Sequence, residues 1–228
     1  MDFKTRMTKK LFALALLLAL ALAFSSCTSP KTLPNADSTN KGRGDIRQGT
    51  WSEDGLVFTN EWSNIKFTMP EVGYTKTSPE QMDELMLAEI EARGFDSTLK
   101  ETASTLLLFD FMVAGEATSN PSITLTYENI KKNPTIPVET DATAYLDSVK
   151  AQFEQMAPQG AVYVETERTA TTVAEIEWEF AKYTVNDFIV IDYYVHDEDG
   201  YIWQLIIAYT SDVQQAAEEL LARVTAAD

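Results

Sequence analysis

Three sets of side chains in this sequence could carry chemistry: its one cysteine, its one histidine, and glutamates that recur on alternate positions. Cys27 lies in the stretch LALAFSSCTSP, residues 20–30. A thiol can act as nucleophile, redox group or metal ligand where its surroundings favour the thiolate. His196 could serve as a general base. Glu175, Glu177 and Glu179 would share one face of a strand at steps of about 7 Å, with Glu165 and Glu167 on a neighbouring run. Oxygen-rich groups of that kind suit hard cations such as calcium, and a pair of carboxylates suits glycoside hydrolysis.

The setting of Cys27 removes most thiol chemistry. Residues 1–10 carry Lys4, Arg6, Lys9 and Lys10 against Asp2, and residues 11–24 are an unbroken run of Leu, Ala and Phe. A basic start, a short apolar stretch and small residues before a cut site describe a secretory signal peptide. The run is shorter than the roughly 20 residues that span a bilayer. Phe24-Ser25-Ser26-Cys27 then resembles the lipobox of bacterial lipoproteins, departing from it at Phe24, where Leu is usual. The resemblance implies cleavage after Ser26, a diacylglycerol on the Cys27 sulfur and fatty-acyl chains such as palmitate. At roughly 0.8 kcal/mol per buried methylene, two or three such chains hold where one would not. Cys27 is therefore the expected lipid-attachment residue, and the cell membrane, on its extracytoplasmic face, the expected location. With Cys27 acylated the remainder has no thiol, which excludes disulfides, thiol catalysis and cysteine-based metal sites.

Residues 28–49 are Ser, Thr, Asn, Pro and Gly with few large apolar groups, the composition of a flexible linker. A coil of that length spans about 25 Å. Arg43-Gly44-Asp45, a tripeptide that integrin ligands use, reads here as part of the spacer. The expected organisation is a lipoprotein signal peptide over 1–26, lipidated Cys27 and linker over 27–49, and one domain over 50–228. The chain carries 18 basic and 35 acidic residues, and 50–228 keep 10 and 32 of them, a net −22. That charge repels phosphate backbones and excludes nucleic acid as a partner. Its field favours cations or basic surfaces, although solubility alone also accounts for it.

The elements that must position these residues follow from periodicity. Val57-Phe58-Thr59 and the alternating Ile65, Phe67 and Met69 read as a hairpin stopped by Pro70. Ser78-Pro79-Glu80-Gln81 is a capped helix start, with Met82, Leu85, Met86 and Ile90 on one face and Gly94 as the stop. Residues 104–113, STLLLFDFMV, read as a central strand, and 122–129, SITLTYEN, as an alternating one. A second helix spans about 141–156, with Tyr145, Leu146, Val149, Phe153 and Met156 inward. Val162 and Val164, then Ile176, Trp178 and Phe180, mark two more strands. Residues 188–195 and 201–209 pair across a turn at Asp197-Glu198-Asp199-Gly200. Ser211 to Gln214 reads as a second capping box, before a helix burying Val213, Ala217, Leu220, Leu221 and Val224. Strands joined by short turns pair antiparallel, so the expected class is α+β: a mainly antiparallel sheet with helices packed on both faces.

The opening FTNEW and IKFTMP hairpin, the capped helix and the sheet-rich end closed by a helix resemble the PsbP-like fold group. That group includes photosystem extrinsic proteins, a nuclear import factor and many uncharacterised bacterial lipoproteins. Glu71-Val72-Gly73-Tyr74 departs from the Gly-Trp often found after the proline, and no functional residue of the group maps onto this chain. Fold alone does not give function.

With one histidine and no usable thiol, Ser–His catalysis would rest on His196, unsupported by a Gly-x-Ser-x-Gly elbow. Zinc needs several nitrogen or sulfur ligands, and no phosphate or dinucleotide loop is present. DEDG lacks the remaining ligands of a calcium loop. No catalytic residue, cofactor or metal is expected. The leading expectation is a membrane-anchored, non-enzymatic binding or accessory module for an envelope protein or cationic ligand. A carboxylate-based cell-wall hydrolase and a weak divalent-cation binder are the alternatives.

Overall fold

The computed structural model describes residues 46–92, 105–117, 120–133, 136–156 and 162–227. The expected signal segment, Cys27, Arg43-Gly44-Asp45 and Gly94 lie outside these residues. The strands are β1 (Thr50–Trp51), β2 (Val57–Asn60), β3 (Ile65–Thr68), β4 (Tyr74–Lys76), β5 (Leu107–Gly115), β6 (Ser122–Asn129), β7 (Tyr163–Val173), β8 (Ile176–Val185), β9 (Ile189–Glu198), β10 (Tyr201–Thr210) and β11 (Val224–Ala226). The helices are α1 (Pro79–Ala92), α2 (Ala142–Met156) and α3 (Gln214–Leu221). No helix among the described residues is long and apolar enough to cross a membrane.

The strands form two antiparallel sheets where one was expected. A four-stranded sheet has the order β1-β2-β3-β11, and a seven-stranded sheet the order β4-β5-β6-β10-β9-β8-β7. The alternation of each strand divides the core. Phe58, Ile65 and Phe67 of the small sheet cluster with Ile123, Leu125, Leu205 and Ile207 of the large one, and with Ala217 and Leu220 of α3. Ile202 and Ile206, one residue out of phase on β10, cluster instead with Tyr145, Leu146, Val149 and Phe153 of α2. Met82, Met86 and Ile90 of α1 pack on Leu107, Phe109 and Met112 of β5.

The first helix starts as its capping box dictates. The Ser78 N–H donates to Gln81 Oε1 at 3.2 Å, and the Gln81 N–H to Ser78 Oγ at 3.3 Å. The second capping box does not form. Ser211–Val213 is a 3-10 turn without a side-chain cap bond, and α3 begins only at Gln214. Val224 leaves the helix and pairs with Phe67 as the first residue of β11.

Ile46, four residues ahead of the boundary expected at Thr50, already belongs to the packed region. Ile46 is buried in the core. The Gly49 N–H donates to Asp110 Oδ1 at 2.8 Å, and Asn60 Nδ2 donates to Asp110 Oδ2 at 2.7 Å and to the Arg47 carbonyl at 2.8 Å. Asp110 is the extra residue of a bulge in β5: the register to β6 shifts between Phe109 and Phe111. The bulge turns a carboxylate from a central strand onto the entering chain. Gly49 has no room for a side chain, because a Cβ would stand 2.3 Å from Phe58 Cζ and 2.7 Å from the Thr59 carbonyl oxygen. Gly49→Ala is therefore expected to cost about 1–3 kcal/mol, the range for overpacking, read by urea denaturation.

Candidate functional site

The described residues that could carry chemistry gather at one end of β7–β10. Two-residue turns close the hairpins there: Ala174 and Glu175, with φ of 52° and 64°, join β7 to β8, and Asp199 and Gly200, at 50° and 79°, join β9 to β10. Paired positive φ values match the twist of the flanking strands. Glu175 is thus a turn residue, and the expected row of three glutamates shrinks to Glu177 and Glu179. The second turn is Asp199-Gly200 alone, since β9 continues through Asp197 and Glu198.

A second bulge separates Glu165 from Glu167. Glu165 lies opposite Tyr183 and Glu167 opposite Lys182, adjacent β8 residues whose side chains leave on opposite faces. Glu165 turns towards α2, 3.1 Å from Lys150 Nζ, and accepts from Arg168 Nε at 2.7 Å, while Arg168 Nη1 stands 2.6 Å from Asp147. These ion pairs fasten β7 to α2 and take Glu165 away from the other glutamates.

His196 is held rather than poised. Its Nδ1 donates to the Glu177 carbonyl at 2.8 Å, and its Nε2 is 3.7 Å from Glu198 Oε2. The ring packs between Trp203 and Trp178, at centroid distances of 4.8 and 5.8 Å. Both nitrogens thus face the β8 backbone and a carboxylate.

Beside it lies an open groove of about 420 Å³, walled by Ala170, Thr172, Glu177, Glu179, Asp197 and Ala142. The ladder explains the wall: Thr172 pairs with Glu177, Ala170 with Glu179, and Glu179 with Val195, so alternate residues of three strands share one face. The groove stops where α2 begins. Asp197 Oδ1 accepts from the Ala142 N–H at 2.9 Å, and Asp141 Oδ1 from the Ala144 N–H at 2.8 Å, so both carboxylates cap the first turn of α2. Among the described residues no lysine or arginine lines the groove. Among the described residues no basic side chain pairs with Glu177 or Glu179.

A second groove of about 470 Å³ opens on the other side of the β9–β10 hairpin, lined by Trp62, Lys131, Glu198, Asp199, Tyr201 and Trp203. Asn60 Oδ1 brings Trp62 there by accepting from the N–H groups of Trp62 and Ser63, at 2.9 and 3.2 Å. The indole meets Tyr127, Tyr201 and Trp203 at 5.0, 5.4 and 5.5 Å. The stem of Lys131 crosses Gly200 so closely that a Cβ there would stand 2.2 Å from Lys131 Cε, and its ammonium lies 5.7 Å from the Tyr201 ring centre.

Of the four buried carboxylates among the described residues, Glu89, Asp110, Glu128 and Asp192, two aspartates are raised well above the ordinary range. Burial raises Asp110 from 3.8 to about 6, against the lowering by its bonds from Asn60 and Gly49. Burial likewise raises Asp192 to about 6, opposed by Lys182, 3.6 Å away. Neither lines the two grooves. Among the described residues no three His, Cys, Asp or Glu gather to hold a metal ion. Sequence reasoning missed Asp110, although a lone acid inside LLLFDFMV was the available signal. It also assigned Asp197 to a turn, when β9 carries it into the groove wall.

No family model matches the chain, and no curated protein does. Two solved structures are similar to this chain at low identity. One is the cyanobacterial PsbP protein, CyanoP, of Synechocystis sp. PCC 6803, at 11% identity and a TM-score of 0.43, over 85% of this chain and 99% of that one. Another is LpqN of Mycobacterium tuberculosis, described as involved in cell envelope biogenesis, at 11% identity and a TM-score of 0.37, over 72% of this chain and 83% of that one. Neither likeness assigns a role to this chain.

Proposed function

We propose that this protein is an exported, lipid-anchored, non-enzymatic binding module that takes a cationic ligand in the groove walled by Glu177, Glu179 and Asp197. The observation that carries the reading is the groove itself: carboxylates from two strands, and no lysine or arginine in the lining. Like charges set in a cleft concentrate field lines and raise the local concentration of opposite charge. The net −22 of residues 50–228 adds to that field. Lipid on Cys27 would hold the domain at the extracytoplasmic face of the membrane, where ligands reach it without crossing.

Two measurements on the full chain test this. Cys27→Ser should move the protein from the membrane fraction to the soluble one. Calorimetric titration with hexalysine should then show affinity that falls with salt and drops about tenfold or more, about 1.4 kcal/mol, in Glu177→Gln/Glu179→Gln. Unchanged affinity in the double variant would place any cation binding elsewhere.

A further inference from the structure

The acidic groove borders an open strand edge, and the two together specify more than a charge. Among the described residues β7 is the last strand of the seven-stranded sheet, paired with β8 alone. Its first half is blunted as edge strands commonly are: a bulge lies between Glu165 and Glu167, and Glu165 and Arg168 are tied into ion pairs with α2. Its second half is not blunted. Residues 169–173, Thr-Ala-Thr-Thr-Val, carry no charge and no proline, and they stay in unbroken register with β8 from Thr169↔Phe180 to Val173↔Ile176. Thr169, Ala170 and Thr172 are exposed. Ala170 and Thr172, both small, form the outer lip of the groove, with Glu179 and Glu177 directly across the ladder on the same face.

We infer that the β7 edge at residues 169–173 and the groove beside it form a docking surface for an extended, basic polypeptide segment of a partner protein. The segment would add to β7 as a further antiparallel or parallel strand, its main chain bonding to the edge. Side chains leave a strand alternately, so every second residue of the added strand would lie over the groove. Lysine or arginine at those positions would reach across Ala170 and Thr172 to Glu177 and Glu179. Charge complementarity selects this occupant. Among the described residues the groove offers carboxylates and no lysine or arginine, and a second copy of the same net −22 domain would bring more negative charge to it. The inference rests on the cation-binding reading of the groove and adds the shape of the ligand.

The full chain, with lipid on Cys27 kept in detergent, is titrated with three probes: an alternating peptide (Lys-Thr)₄, the same peptide N-methylated at alternate residues, and spermine. N-methylation removes backbone donors but keeps every charge. The expected result is binding of the plain peptide, at least tenfold weaker binding of the methylated peptide and of spermine, and slowed amide exchange within 169–173 on the complex. Glu177→Gln/Glu179→Gln should weaken the plain peptide tenfold or more, and Ala170→Lys/Thr172→Lys should abolish its binding while leaving the urea midpoint unchanged. Equal binding of plain and methylated peptides, both lost in the glutamine variant, would overturn strand addition and leave the cationic groove standing. Binding indifferent to the glutamine variant, or absent for all three probes, would overturn both.

Discussion

Phe111→Ala is expected to lower the unfolding free energy by about 3–5 kcal/mol, the range for emptying a large buried aromatic site. Phe111 is fully buried and fastens the two sheets together. Its ring stacks on Phe67 at 5.0 Å and 11°, and meets Phe58 at 4.9 Å and Trp51 at 6.3 Å. Those three rings belong to the small sheet, so the cavity would open along the seam between sheets. Phe109, two residues earlier, packs instead with α1. Residues two apart on a regular strand share a face; the bulge at Asp110 sends this pair to opposite faces. Urea denaturation gives the measurement, with Phe188→Ala as comparison. Phe188 is 49% exposed in the β8–β9 turn, and its loss should stay within about 0.5 kcal/mol. Equal costs for the two variants would contradict the assigned seam.

Stability should fall as pH rises from about 4 to 7.5, and Asp110 should account for much of the slope. Its carboxyl sits at about 6 in the folded protein against 3.8 for an ordinary aspartate, burial being the main cause. Between those values the folded state binds more protons than the unfolded chain, so stability decreases with pH. The penalty is absent below 3.8 and complete above about 6. A shift of this size corresponds to about 3 kcal/mol at most, at roughly 1.4 kcal/mol per pH unit. Asp192, raised in the same direction to about 6, contributes alongside it. Self-repulsion of the acidic domain acts in the same sense, so a variant is needed to separate them. Asp110→Asn keeps the shape and one acceptor but cannot ionise. Its denaturation midpoint should vary less across this pH range than that of the wild type. Parallel curves for the two proteins would show that the fold does not raise the Asp110 carboxyl above its ordinary value.

Much of the scaffold was legible because its signals are local. Ser122–Asn129 alternates and forms β6 over those same residues. Trp178 and Phe180 point together into one core cluster, as their spacing of two requires. Ser78 and Gln81 close their capping box without help from distant residues. The candidate site was only half legible. Glu177 and Glu179 were identified on one face, but Glu175 was assigned to their strand, and Glu165 to their neighbourhood. Both errors concern where the ladder starts and where it slips, which depend on the partner strand. The strands β1, β4 and β11 have two or three residues each. Runs that short hold no period to read.

The order of the long elements, the acidity of residues 50–228 and the expectation of a lipid on Cys27 are all readable along the chain. Each depends on residues adjacent in the chain or on a sum over it. Tertiary structure decided the division into two sheets, the bulges at Asp110 and between Glu165 and Glu167, and the meeting of Ala170, Glu179 and Asp197 in one groove. A strand's alternation says which side chains share a face, but not which neighbour that face will meet. Register is settled between strands, by packing that joins residues far apart in the chain.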